Sequence, residues 1–285
     1  IIGPIIPPSI IFILYGAMSG TSIGALFLGG IIPGLLIALA QMVMVYFYAK
    51  RRNYPVYRQG IDWRKLFKAL FEAIPALLVP IVIIGGVLSG VFTPTEAGAI
   101  ATLIAFVAGT VIYRTLRIRE IPKLLLNTGI MTASIMVLLA MGNIIAYSLA
   151  IEQVPQTIVN FLSGVTDSSL LILLLIIIFL LIVGAVMEET AAMIILIPVM
   201  MPIVEKFNFD PVHFGMVFSV AMAIGLITPP VGVTLFITSN ITRVPFEQLS
   251  RAIVPFLMAT IAVLFLIALF PGLVTFLPDM VMENK

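Results

Sequence analysis

The chain has 285 residues, 61% of them apolar and only 10% charged, with a mean hydropathy of +1.23. This lies far outside the soluble range, several apolar stretches exceed the roughly 20 residues that span a bilayer, and a polar catalytic domain has no room. A net charge of +2 leaves no nucleic-acid footprint, the lack of Cys excludes disulfides and thiolate chemistry, and a single histidine, His213, cannot build a His-based metal site.

The chain therefore reads as an all-α polytopic membrane protein seated in a lipid bilayer. Ile1 opens it inside an element, without Met, leader or charged flank, and we expect an N-terminal portion to precede it. Residues 1–19 read as the second half of a broken helix around Gly3-Pro4-Ile5-Ile6-Pro7-Pro8-Ser9. Residues 20–60 carry a long span kinked at Pro33, ending in Lys50-Arg51-Arg52 with Arg58 beyond. In 61–72, Trp63, Leu66, Phe67, Leu70 and Phe71 recur at helical spacing among Arg64, Lys65, Lys68 and Glu72, as in a helix lying in the interface. Residues 73–116 hold two spans joined at Val91–Pro94, where Thr93, Pro94 and Glu96 have the spacing of a capping box. A second amphipathic piece covers 117–129, and a span with a short interfacial segment covers 130–167. Residues 168–205 form two apolar arms around Glu188-Glu189, read as a re-entrant hairpin, with two full spans as the open alternative. A second broken helix follows at 211–241, and a C-terminal arm and span at 245–285.

The two breaks are copies. Gly225-Leu226-Ile227-Thr228-Pro229-Pro230-Val231 follows the first motif by 222 positions, and at that offset Gly3, Ile5, Pro7, Pro8, Ile31, Pro33 and Leu35 all meet identical residues. A Pro-Pro pair removes two backbone donors and frees upstream carbonyls, which lipid cannot satisfy. Basic clusters at Lys50–Lys68 and Arg114–Lys123 place those loops in the cytoplasm. The first broken helix then runs outward and the second inward, an inverted-repeat topology of the kind that marks a transporter's binding site.

Freed carbonyls near Gly3–Ile6 and Gly225–Thr228 are hard, uncharged oxygen ligands that suit a monovalent cation such as Na⁺, and Thr228 adds a hydroxyl that Ile6 lacks. A plain proline kink is the structural alternative. Glu188-Glu189-Thr190, deep in apolar sequence, reads either as a hairpin tip facing the second break or as a surface loop. His213 follows Asp210-Pro211 at a helix start, and Arg243 and Arg251 read as cytoplasmic topology determinants.

Gly-Pro-Ile-Ile-Pro-Pro-Ser-Ile from Gly3, Phe92-Thr93-Pro94-Thr95-Glu96-Ala97, Glu189-Thr190-Ala191-Ala192 before Ile197-Pro198, Asp210-Pro211-Val212-His213-Phe214-Gly215, and Gly225–Gly232 occur in this order. Together they resemble the large membrane subunit of TRAP (tripartite ATP-independent periplasmic) transporters over essentially the whole chain. The resemblance implies a Na⁺-coupled importer of an organic acid, such as sialic acid, a C4-dicarboxylate or a keto acid, in the bacterial inner membrane. It implies an elevator mechanism and two partners, a periplasmic substrate-binding protein and a small TRAP membrane subunit. One Na⁺ site would use Gly184, Gly225, Thr228 and Val231; the other would use Gly3, Ile6 and Pro8 with residues from a preceding hairpin. The transport domain would contain 1–19 and 130–167, the scaffold 20–60 and 73–116, with 61–72 and 117–129 as arm helices. Ser9 and Thr190 are placed near substrate by position alone. A channel and a non-transporting structural subunit are the competing readings; a membrane hydrolase built on Glu188 and Glu189 lacks any accompanying nucleophile or metal-ligand motif.

Overall fold

The computed structural model describes residues 1–54 and 62–282. Arg58 of the first basic cluster, the expected boundary at 60–61 and the last three residues of the C-terminal segment lie outside the described residues. Among the described residues the regular structure is all helical. In chain order the helices are α1 (Ile2–Ile5), α2 (Ile10–Ser19), α3 (Ile23–Arg51), α4 (Trp63–Leu88), α5 (Pro94–Val107), α6 (Ile121–Ile151) and α7 (Val154–Val165). They continue with α8 (Ser169–Val186), α9 (Glu189–Lys206), α10 (Pro211–Gly225), α11 (Val233–Thr242), α12 (Phe246–Leu269) and α13 (Gly272–Met282). A π-helical turn, Ala108–Ile112, extends α5, and a 3₁₀ turn, Ile118–Glu120, leads into α6. Among the described residues, six helical stretches are long and apolar enough to cross a membrane: α3, α4, α5 with its extension, α6 with its leading turn, α8 and α12. The protein is a polytopic membrane protein.

The chain divides into two compact units, one of Ile1–Tyr48 with Leu138–Lys285, the other of Ala49–Val137. The first is organised around α10, in which every residue from His213 to Gly225 is buried. A helix apolar on all sides needs neighbours on all sides, and α8, α9, α12, α13, α2 and α1 supply them. Asp210 starts α10 by accepting the His213 N–H at 2.7 Å, with Pro211 in the first turn where no donor is needed. His213 itself is buried, with Nε2 2.9 Å from the Ile267 carbonyl of α12, so its ring joins two helices.

The second unit contains the hairpin of α4 and α5, which pack on each other. The capping box at its turn is present: Glu96 accepts the Thr93 N–H at 2.8 Å while Thr93 Oγ1 accepts the Glu96 N–H at 3.3 Å. Tyr113 Oη, beyond the end of α5, donates to the Glu72 carbonyl within α4 at 2.6 Å and ties the pair together away from its turn. Two expected boundaries are absent. The amphipathic segment 61–72 and the span after it form one helix, α4, which runs through Pro75 and Pro80. The second amphipathic piece likewise merges into α6. A lone proline forfeits one i→i−4 bond but leaves the helix on either side intact, and membrane helices tolerate it.

The 222-residue offset carries one set of elements onto another. Shifted by it, α2 and α3 begin one residue before α11 and α12; α2 and α11 are both ten residues long. Pro33 and Pro255 occupy matching interior positions in α3 and α12. Both Pro-Pro bonds, Pro7-Pro8 and Pro229-Pro230, are cis.

Candidate functional site

At the second break, backbone hydrogen bonds show how the helix gives way. Pro229 and Pro230 cannot donate to the carbonyls of Gly225 and Leu226 four residues before them. The chain tightens instead: Ile227 N–H donates to Ile224 at 3.1 Å and Thr228 N–H to Gly225 at 3.0 Å. That turn takes the helical donor away from Ile224, whose carbonyl accepts the Thr228 hydroxyl at 2.8 Å. The Leu226 carbonyl accepts the Thr234 N–H from α11 at 3.0 Å. In the first copy, the matching carbonyl belongs to Pro4, and the Ser9 hydroxyl donates to it. The two copies thus satisfy the same freed carbonyl by different donors, a side chain in one and a backbone amide in the other.

Gly184, near the end of α8, lies directly against Gly225 at the end of α10. A Cβ on Gly225 would fall on the Gly184 backbone, overlapping its carbonyl oxygen and lying 2.7 Å from its Cα. Only glycine at position 225 allows the two helix ends to meet this closely. Beyond the break, Val231 N–H donates to the Ala185 carbonyl at 3.3 Å, and Gly232 takes a φ of +49° to start α11. A cavity of about 10 Å³ sits at this junction, lined by Gly184, Gly225, Val231, Gly232, Glu188 and Glu189 among others. Three of the four residues assigned to one Na⁺ site, Gly184, Gly225 and Val231, therefore share one cavity with room for about one water molecule. Thr228 sits just before the prolines, with its hydroxyl donated to Ile224 and its oxygen lone pairs not committed by that bond. Thr190, half-buried in the first turn of α9, does not line this cavity.

The first break is more open. Gly3 and Ile6 are exposed and Pro8 is half-buried, whereas Ser9 is buried with its hydroxyl committed to Pro4. Gly3 lines a cavity of about 380 Å³ with Ile1, Ile2, Gln41, Ile227, Ile253 and Phe256. Both breaks thus contribute to that space, Gly3 from one and Ile227 from the other. Gln41 was missed by sequence reasoning. Its Nε2 donates to the Phe256 carbonyl at 3.1 Å and to Thr260 Oγ1 at 2.6 Å, joining α3 to α12. A polar amide within an apolar span was the available signal. A larger cavity, of about 640 Å³, lies among Ser19–Ser22, the end of α9 and the start of α10, with Ser19, Thr21, Ser22, Glu205 and Asn208 as polar lining.

Comparison with known proteins places this geometry. Residues 1–273 match the family described as the tripartite ATP-independent periplasmic transporter, DctM component. The chain belongs to this TRAP transporter family. It is 41% identical over 281 residues to the sialic acid TRAP transporter large permease protein SiaM of Vibrio cholerae, covering 98% of this chain and 65% of that protein. It is 38% identical over 278 residues to the C4-dicarboxylate TRAP transporter large permease protein DctM of Pseudomonas aeruginosa, covering 98% of this chain and 65% of that one. It is 40% identical over 275 residues to the isethionate TRAP transporter permease protein DctMQ of Oleidesulfovibrio alaskensis, covering 96% of this chain and 43% of that one. The chain thus spans just under two thirds of the length of the separate large permeases. These TRAP relatives are permeases and not enzymes, which removes the hydrolase reading of Glu188 and Glu189.

Proposed function

We propose that this chain forms part of the membrane permease of a Na⁺-coupled importer of a small organic acid. The observation that carries the reading is the junction of the second break with α8. Gly184, Gly225 and Val231 converge on one small cavity, and the adjacent prolines deprive carbonyls of helical donors. Backbone carbonyls at such breaks, with the Thr228 hydroxyl nearby, are suitable ligands for Na⁺. The first break, through Gly3, Ile6 and Pro8, would hold a second ion together with groups outside this sequence. Na⁺ is cargo here, moving with the acid down its gradient.

The repeat supports an inverted pair of breaks around one transport site, with α8 and α9 as a re-entrant hairpin. Movement of that site across the bilayer by an elevator mechanism fits this arrangement. The substrate class follows the relatives' names, which cover sialic acid, C4-dicarboxylate, isethionate and 2,3-diketo-L-gulonate. All are anions of modest size. The reading places the permease in the bacterial inner membrane with a small TRAP subunit and a periplasmic substrate-binding protein. Ser9 and Thr190 remain candidates for substrate contact, although the Ser9 hydroxyl would act only as an acceptor while it donates to Pro4.

The test is uptake of labelled sialic acid, a dicarboxylate and a keto acid into proteoliposomes holding the full-length permease, its small subunit and its binding protein. Inward Na⁺, inward K⁺ and no gradient are compared. Uptake of any one acid only with inward Na⁺ supports the reading and names the substrate. Uptake indifferent to Na⁺ for every acid removes the coupling-ion role of the breaks.

A further inference from the structure

One group at the junction is not used by carbonyl coordination. Of the two adjacent carboxylates between α8 and α9, Glu188 is exposed and serves as the N-cap, accepting the Ala191 N–H at 2.9 Å. Glu189 turns inward. It is only 9% exposed, and its Oε1 is shielded from solvent with no hydrogen-bond partner among the described residues. It lines the same cavity as Gly184, Gly225 and Val231. Burying a carboxylate oxygen without a donor costs more than the start of a helix returns. Among the described residues, no Lys, Arg or His lines that cavity.

We propose that Glu189 Oε1 is the anionic ligand of the cation held at this junction, so that the loaded site is electrically neutral. The inference rests on reading Gly184, Gly225, Thr228 and Val231 as a Na⁺ site. Carbonyls and hydroxyls supply dipoles but no charge, and a monovalent cation among them alone would be an uncompensated charge in a low-dielectric interior. Glu189 supplies the opposite charge without competing for a proton donor, because no donor is aimed at its Oε1. The ion in turn satisfies the oxygen that the fold leaves bare. The first break has no acid in its motif, so the two sites would differ: the second pairs charge locally, and the first does not.

The test measures thermal stabilisation of the full-length permease complex as NaCl replaces KCl at constant ionic strength. The wild type gives the Na⁺ concentration for half-maximal stabilisation. Glu189→Gln keeps shape and an acceptor but removes the charge. It is expected to raise that concentration by about tenfold or more, with a midpoint in KCl no lower than that of the wild type because an orphan charge is gone. Glu189→Asp retains the charge but withdraws the oxygen by one methylene, and is expected to shift the response in the same direction by less; it decides the matter if Glu189→Gln does not fold. A wild type that responds to Na⁺ beside a Glu189→Gln variant with the same half-saturation overturns the Glu189 assignment and leaves the carbonyl site standing. A wild type with no Na⁺ response overturns both.

Discussion

The contact between Gly184 and Gly225 yields an asymmetric prediction. In Gly225→Ala the added methyl overlaps the Gly184 oxygen and lies 2.5 Å from the Gly184 carbonyl carbon and 2.7 Å from its Cα. All three atoms are backbone, so no side chain can swing away. Non-bonded carbons settle at about 3.5 Å or more, and the ends of α8 and α10 must part by about 1 Å. Overpacking on this scale costs about 2 kcal/mol. The Val231 N–H to Ala185 bond, already 3.3 Å long, would break with it and add about 1 kcal/mol. In Gly184→Ala the new methyl meets Gly225 Cα at 3.4 Å, Met222 Cε at 3.5 Å and the Ala221 oxygen at 3.6 Å, all ordinary contacts. A helical Gly→Ala change then gains up to about 1 kcal/mol from propensity. The assay is heat challenge of the detergent-solubilised full-length permease in KCl, read by size-exclusion chromatography. At about 2–4 °C per kcal/mol, Gly225→Ala should melt about 6–12 °C below the wild type, and Gly184→Ala should melt at or slightly above it. Equal losses in both variants, or the larger loss in Gly184→Ala, would refute the packing argument.

Thr228→Val deprives the Ile224 carbonyl of its 2.8 Å donor and removes a hydroxyl oxygen from the neighbourhood of the proposed ion. It should cost about 1 kcal/mol in stability while raising the Na⁺ concentration for half-maximal uptake by a larger factor; matching losses in yield and Na⁺ response would reduce Thr228 to a folding role. Gln41→Leu loses two hydrogen bonds to α12, but Thr260 Oγ1 keeps its 2.9 Å bond to Phe256. Its thermal midpoint should therefore fall by the equivalent of only about 1–2 kcal/mol, and a collapse of expression would show that Gln41 carries more than this pair of bonds. Glu96→Ala removes one half of an exposed capping box, so heat stability should drop modestly with substrate preference unchanged in competition uptake; an altered preference would contradict a purely structural role.

The features visible in the sequence were those whose physics is local. Pro7-Pro8 and Pro229-Pro230 announce broken helices because two missing donors in a row cannot be hidden in an apolar segment. Their equal spacing from Pro33 and Pro255 was enough to set α2 and α3 against α11 and α12 to within a residue. Thr93-Pro94-Thr95-Glu96 and Asp210-Pro211 likewise announce helix starts through bonds made within one turn. The continuity of α4 through Pro75 and Pro80 was not legible, because an isolated proline costs one bond and the decision between kink and stop depends on what surrounds it. The meeting of Gly184 with Gly225 involves positions 41 residues apart. Motif resemblance named both residues, but nothing in their own neighbourhoods requires that they touch.

Glu188 and Glu189 show the same limit and also what lies beyond it. As a dipeptide they are equivalent: two carboxylates in an apolar segment, each able to cap a helix or to face an ion. The fold breaks that equivalence by starting α9 at Glu189, which leaves Glu188 outside the helix with its carboxylate turned back onto the Ala191 N–H. One residue further, the helix geometry points Glu189 toward α10 and the cavity at Gly225. The capping bond therefore does two things at once: it satisfies one acid locally and fixes the register that buries the other. Moving the cap one residue on would turn Glu189 itself onto a backbone N–H and leave the junction without its buried charge. For that reason, the burial of the one acid proposed to face the ion is set by the capping bond of its neighbour, Glu188.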